Sequence, residues 1–257
     1  MKKTIQLICI SFLLIIGYAG CKKDNNNNVK ENPLSSLGGS VTLPSGAAGA
    51  LYAIENIVYD QTAGGSLDTL GSAFAWFNNY SSTSNAGSVT CNGDSLSTAV
   101  PFFTQFSYPW YTNSGSIISG SEITFSTNPV QWIVSGNSAS GIAGFNFTDN
   151  SAFPVVSFSI PATVTITSGL TVNFTVTGTN VGIIGVVTGS KGQITRNLAS
   201  TANTLSLSAS DLNQVAISGG DVLTVEIMPV YYVLQTISGK SYYFVKQYAY
   251  AVSSLTQ

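Results

Sequence analysis

The chain has 257 residues, of which 8% are Asp, Glu, Lys or Arg, against roughly a quarter in an ordinary soluble domain. The hydrophobic share is an ordinary 44% and the formal net charge is −2, so Ser, Thr, Asn and Gly stand where charge would. There is no His, and two of the three Cys lie in the first 21 residues, which excludes imidazole chemistry, His-ligated metals and a disulfide within the body of the chain.

Met1-Lys2-Lys3 opens the chain with positive charge, and an apolar run follows from Ile5 to Ile16. Gly17-Tyr18-Ala19-Gly20-Cys21 closes it with small residues. These are the parts of a secretory signal, and the run is too short for a membrane span, which needs about 20 apolar residues. Ala19-Gly20-Cys21 resembles the lipobox of bacterial lipoproteins, with Tyr18 in place of the usual Leu. The resemblance implies a signal peptide over 1–20, lipidation of Cys21, and acyl chains that tie the mature chain to a membrane.

Lys22-Lys23-Asp24 and the four Asn that follow are polar and aperiodic, which predicts a flexible tether over 21–37. The Cys-Lys-Lys-Asp-Asn start is similar to outer-membrane lipoproteins of the Bacteroidota type. The resemblance implies an outer-membrane protein that faces the periplasm or is displayed on the cell surface.

From Glu31 to Ser190 there are seven acids and no Lys or Arg, and the four later basic residues are Lys191, Arg196, Lys240 and Lys246. An acidic, lysine-poor body disfavours nucleic acid as a partner.

The body reads as all-β. Period-two alternation is frequent, turn residues interrupt it at short intervals, and no long helical stripe occurs. In the N-terminal half, Leu51–Ile54 and Ile57–Tyr59 read as one strand with a bulge at Glu55-Asn56, and Ala73–Phe77 as a second. Asn92-Gly93 between Ser88–Cys91 and Ser95-Leu96 is a strong hairpin signal. Strands are also expected at Ile123–Phe125, Trp132–Val134 and Phe145–Phe147. Asp149-Asn150-Ser151 followed by Pro154 reads as a boundary.

Beyond it, strands are expected at Thr163–Thr167, Leu170–Val176, Ile183–Val187 and Thr204–Ser208. A short helical turn is expected at 210–214, then strands at Val222–Met228, ended by Pro229, and at Tyr242–Val252. The expectation is an antiparallel β-sandwich in two β-domains, 38–150 and 154–257. The second resembles the wider immunoglobulin-like sandwich without its Cys pair and core Trp. One continuous larger sandwich is the alternative.

Pro101–Tyr111 holds six aromatic residues in eleven. Tyr108, Trp110 and Tyr111 are candidates for stacking on sugar rings, since aromatic faces suit C–H surfaces and Tyr and Trp keep a polar handle. The alternative is a loop that plugs one end of the sandwich. Tyr231-Tyr232 and Tyr242, Tyr243, Tyr248 and Tyr250 form a second tyrosine-rich region, explained by cross-strand pairing.

Glu55, Asp60, Glu122 and Glu226 are the carboxylates available for glycoside hydrolysis, which needs two in one cleft. Asp60-Gln61 and Asp149-Asn150 offer oxygen atoms to calcium but lack EF-hand spacing. No nucleophile-elbow, Ser-x-x-Lys, Walker or dinucleotide motif is present. Cys91 reads as a buried small residue.

Asp68-Thr69-Leu70 and Asp94-Ser95-Leu96 resemble the O-glycosylation tripeptide of secreted Bacteroidota proteins, which implies glycans on Thr69 and Ser95 in loops or turns. The expected role is binding or scaffolding without catalysis, metal or cofactor. The partners expected are the membrane, through the lipid, and a polysaccharide or another envelope protein. A carboxylate-dependent glycan hydrolase and a self-associating adhesin-like spacer are the rivals.

Overall fold

The computed structural model describes residues 46–62, 64–78, 84–99, 110–112, 123, 125, 129–217 and 219–257. The signal, the tether, Cys21, Tyr108 and Glu122 lie outside them. The protein is all-β. Its strands are β1 (Gly49–Asp60), β2 (Ser66–Phe77), β3 (Val89–Cys91), β4 (Asp94–Ala99), β5 (Trp110–Thr112), β6 (Val130–Val134), β7 (Phe145–Asp149) and β8 (Val155–Phe158). There follow β9 (Thr163–Val164), β10 (Leu170–Thr177), β11 (Gly182–Gly189), β12 (Gly192–Leu198), β13 (Thr204–Leu207), β14 (Val222–Ile237) and β15 (Lys240–Thr256). Among the described residues one α-helix, α1 (Ala209–Val215), precedes β14.

Twelve strands form one sheet in the order β12-β11-β14-β15-β1-β2-β5-β4-β3-β6-β7, with β9 added beside β15, and β13-β10-β8 form a second sheet. Local chemistry explains the hairpins. Asn92 and Gly93 both take positive φ between β3 and β4, and Ser238 and Gly239 do the same between β14 and β15, the two-residue turn that matches strand twist. Ser208 and Asp211 form a capping box that starts α1, two residues ahead of the turn expected from the sequence.

The organising strand is β15. It pairs antiparallel with β14 and parallel with β1 over twelve residues, from Gly49 opposite Tyr242 to Asp60 opposite Ser253. Strands from both expected domains, 38–150 and 154–257, therefore share one sheet. No bulge interrupts β1: Glu55 and Asn56 stay in register with Tyr248 and Ala249 on one side and with Gly71 and Leu70 on the other. Nor does Pro229 end β14, which runs on to Ile237. Pro229 lies opposite Ile183 of β11, and the β15 register passes over Met228 and Pro229, so the missing N–H falls at a gap in the ladder.

Side-chain alternation along β15 divides the interior. Tyr242 and Phe244 enter a first core with Phe77, Tyr111 and Trp132. There the sheet rolls over until β7 lies on β15, with Phe147 stacked on Phe244 at 3.8 Å between centroids. Further along the same face, Val252 enters a second core, with Tyr248 and Tyr250 packed against it. Here the three-stranded sheet supplies Val156, Val172, Phe174, Leu205 and Leu207. The opposite face buries Tyr52, Trp76, Ile184, Val186, Val230, Tyr243 and Val245.

Candidate functional site

Between the two cores, the face of β15 that carries Tyr242 and Phe244 continues as Lys246, Tyr248 and Tyr250. Lys246 is buried and faces Asp149, with Nζ 3.3 Å from Oδ2. It also donates to the Asp149 carbonyl at 3.2 Å and to the Ser151 carbonyl. Burial pulls the Lys246 ammonium below its usual range, and the Asp149 charge opposes this. The other Asp149 oxygen accepts from the Ser151 N–H and hydroxyl at 2.9 and 2.5 Å.

Next to this pair lies an open strip. Parallel pairing sets Glu55 beside Tyr248 and Ile57 beside Tyr250, and antiparallel pairing adds Gly71 beside Glu55, Thr69 beside Ile57 and Leu67 beside Tyr59. All of these positions share one face, because strand side chains alternate. Tyr59, Tyr248 and Tyr250 are half-buried, while Thr69 is exposed and Leu67 is 60% exposed. Phe158 of β8 meets Tyr250 edge-on at 5.2 Å and bounds the strip toward the second core. Toward the first core, the Ile123 carbonyl passes so close over Gly71 that a Cβ there would sit 1.7 Å from it.

Electrostatics tie the strip together. Burial raises the Glu55 carboxyl above the usual range. Burial also raises the Tyr248 phenol, helped by the neighbouring Glu55 charge, and raises that of Tyr250 beside Tyr59. Among the described residues, nothing hydrogen-bonds the Glu55 carboxylate or the hydroxyls of Tyr59, Tyr248 and Tyr250. Cross-strand pairing holds for Tyr232 of β14 and Tyr243 of β15, edge to face at 5.2 Å, while Tyr248 and Tyr250 face the strip. The period-two spacing from Tyr242 to Tyr250 was the available signal; what sequence alone lacked was the pairing with β1 that brings in Glu55 and Tyr59.

Trp110 and Tyr111 lie in β5, paired with β4 and β2. Tyr111 is 2% exposed and packs edge-to-face on Phe77 at 5.7 Å. Its hydroxyl accepts from the Ala86 N–H at 2.8 Å and donates to Asn85 Oδ1 at 3.1 Å. Its ring is core and offers no free face to a sugar. Thr69 and Ser95 are exposed, but both are strand residues, in β2 and β4, and not loop residues.

Glu55 and Glu226 lie on opposite faces of the sheet, since Glu55 pairs with Tyr248 and Glu226 with Ala251. Asp60 closes its own turn, accepting from the Thr62 N–H and hydroxyl at 2.9 and 2.7 Å. Its turn and that of Asp149 give a local reason for the two Asp-centred motifs. No group of three His, Cys, Asp or Glu side chains gathers to hold a metal among the described residues. Cys91 is fully buried, and burial pushes its thiol far up, away from the reactive thiolate. Among the described residues no helix is long and apolar enough to cross a membrane.

Comparison of the chain with protein-family models, with curated proteins and with solved structures finds no match.

Proposed function

We propose that this protein is a lipid-anchored binding module of the cell envelope whose ligand is a polysaccharide, held on the Glu55–Tyr59–Tyr248–Tyr250 strip. The observation that carries the reading is three half-buried tyrosines on one sheet face whose hydroxyls have no hydrogen-bond partner among the described residues, flanked by a carboxylate in the same condition. Phenol faces suit sugar C–H surfaces, and free phenol and carboxylate groups suit sugar hydroxyls. A half-open strip on a rigid sheet also fits the outline of a pre-formed site.

The Cys21 lipid places the module at the outer membrane, facing the periplasm or the cell surface. The C-terminal sandwich belongs to the immunoglobulin-like architecture, which serves for binding and spacing. Binding is favoured over hydrolysis because, among the described candidates, Glu55 and Glu226 are separated by the sheet and Asp60 closes its own turn, whereas retaining or inverting hydrolysis needs two carboxyls about 5–9.5 Å apart in one cleft.

A glycan array spanning envelope and dietary polysaccharides tests the reading. It expects a hit that Tyr248→Ala with Tyr250→Ala removes. A blank array against a folded protein overturns it. In parallel, Cys21→Ala releases the protein from the membrane fraction; retention of that variant overturns the anchor.

A further inference from the structure

Glu55 is in an uncommon position. It is a half-buried carboxylate set among phenol rings, opposite Tyr248 on one strand and Gly71 on the other. Removing a carboxylate from water without giving it a partner is unfavourable, and a cation is the strongest compensation.

The body of the chain supplies none. All four of its basic side chains are engaged elsewhere: Lys191 donates to the Asn213 carbonyl, Arg196 pairs with Asp211 at 2.7 Å, Lys240 donates to the Gly141 carbonyl, and Lys246 is held by Asp149. The lysine nearest in sequence to the strip, Lys246, is 1% exposed and committed to Asp149 and Ser151. The strip is therefore a negative, aromatic surface with no positive group of its own. Tyrosine rings add a second attraction for a cation through their negative faces.

We infer that the strip selects a polysaccharide whose sugars carry free ammonium groups, with Glu55 as the specificity-determining residue that pairs with the ammonium while Tyr248 and Tyr250 stack on the rings. This rests on the polysaccharide-binding reading above and narrows it. Neutral chains stack but leave Glu55 without a cation, and uronic or sulfated chains meet its charge with their own. A charge-assisted hydrogen bond in a partly desolvated place corresponds to roughly ten- to a hundredfold in affinity.

The test is calorimetric titration of the full detergent-solubilised chain with four oligosaccharides of matched length. These are a β-1,4-linked glucosamine hexamer, its N-acetylated counterpart, a glucose hexamer and a galacturonate hexamer. The expected result is at least tenfold tighter binding of the glucosamine hexamer than of the acetylated one, and a gap that narrows with added salt. Glu55→Gln removes the gap without abolishing binding of the acetylated chain, whereas Tyr250→Ala weakens both.

Equal binding of the amine and acetylated hexamers by the unmodified protein overturns the inference and leaves the polysaccharide reading standing. So does preferential binding of galacturonate. If none of the four binds and a full glycan array is also blank, both fall. The comparison among ligands uses the unmodified chain, so it does not depend on any variant folding.

Discussion

Lys246 and Asp149 meet at 3.3 Å where the first core gives way to the second. Lys246 sits on the strand common to both cores, and Asp149 ends β7, the strand that rolls back over it. Through the Asp149 and Ser151 carbonyls the ammonium also fixes the connection that leads from the rolled half into the three-stranded sheet. Its ring neighbour Phe153, 5.5 Å away, belongs to the first core.

Removing one member of this pair leaves the other charge buried alone, which costs about 3–5 kcal/mol. Lys246→Met and Asp149→Asn are each expected to lower the unfolding free energy by an amount in that range, read from urea unfolding. The double variant Lys246→Met/Asp149→Leu is expected to lose less than the sum, because it leaves no orphaned charge. Additive losses in the double-mutant cycle would show that the two side chains act independently.

Tyr111 separates a core aromatic from a binding one. Tyr111→Phe keeps the ring and deletes only the hydroxyl that receives the buried Ala86 N–H. The expected loss is about 1–3 kcal/mol of stability, the usual range when a buried donor is left without an acceptor. Glycan affinity should stay as it was. A fall in affinity with unchanged stability would return Tyr111 to the ligand surface.

Gly71 carries the close approach that walls the strip. An alanine Cβ there would stand 1.7 Å from the Ile123 backbone carbonyl oxygen, a contact that backbone movement alone relieves. Gly71→Ala is expected to cost about 3 kcal/mol or more, above the ordinary range for overpacking, read as a lowered thermal midpoint. A change of less than about 0.5 kcal/mol, as at an unremarkable surface site, would mean that the segment at Ile123 yields freely.

What the sequence made legible was local. Alternation at Leu170–Val176, the unbroken apolar run at Ile183–Val187 and the Asn92-Gly93 turn each specify their structure within a few residues, and β10, β11 and the β3–β4 hairpin follow. The first misreadings came from residues whose partners are distant. Glu55-Asn56 looked like a bulge because two polar residues interrupt an apolar run. Within the sheet, Glu55 faces the open strip, and Asn56 Nδ2 bonds the Leu70 carbonyl and Ser72 Oγ at 3.2 and 3.3 Å. Pro229 looked like a terminator because the gap in its ladder exists only once β15 is in place. The parallel union of β1 with β15 joins the two ends of the body, and no short-range pattern encodes it.

Glu226 supplies a pH test of the sheet's other face. It lies in β14 with Val186 of β11 and Ala251 of β15 as its register neighbours, both apolar. It is 7% exposed, and desolvation pushes its carboxyl up to about 7. A carboxyl raised in the folded state binds a proton more readily folded than unfolded. Its stabilising contribution is therefore complete below the ordinary value near 4.5 and is lost as pH climbs through about 7. The shift corresponds to about 3 kcal/mol. Glu226→Gln keeps the shape of the protonated side chain and cannot ionise. Parent and variant should therefore unfold at the same urea concentration at pH 4, and the variant should be the more stable by up to about 3 kcal/mol at pH 8. Taking the difference between the two proteins cancels the opposite pH trend of Asp211 and Asp221, whose lowered carboxyls favour folding at higher pH. If Glu226→Gln is instead the less stable protein at pH 8, the carboxylate is a charged partner in the folded state, and the face it occupies is polar rather than dry.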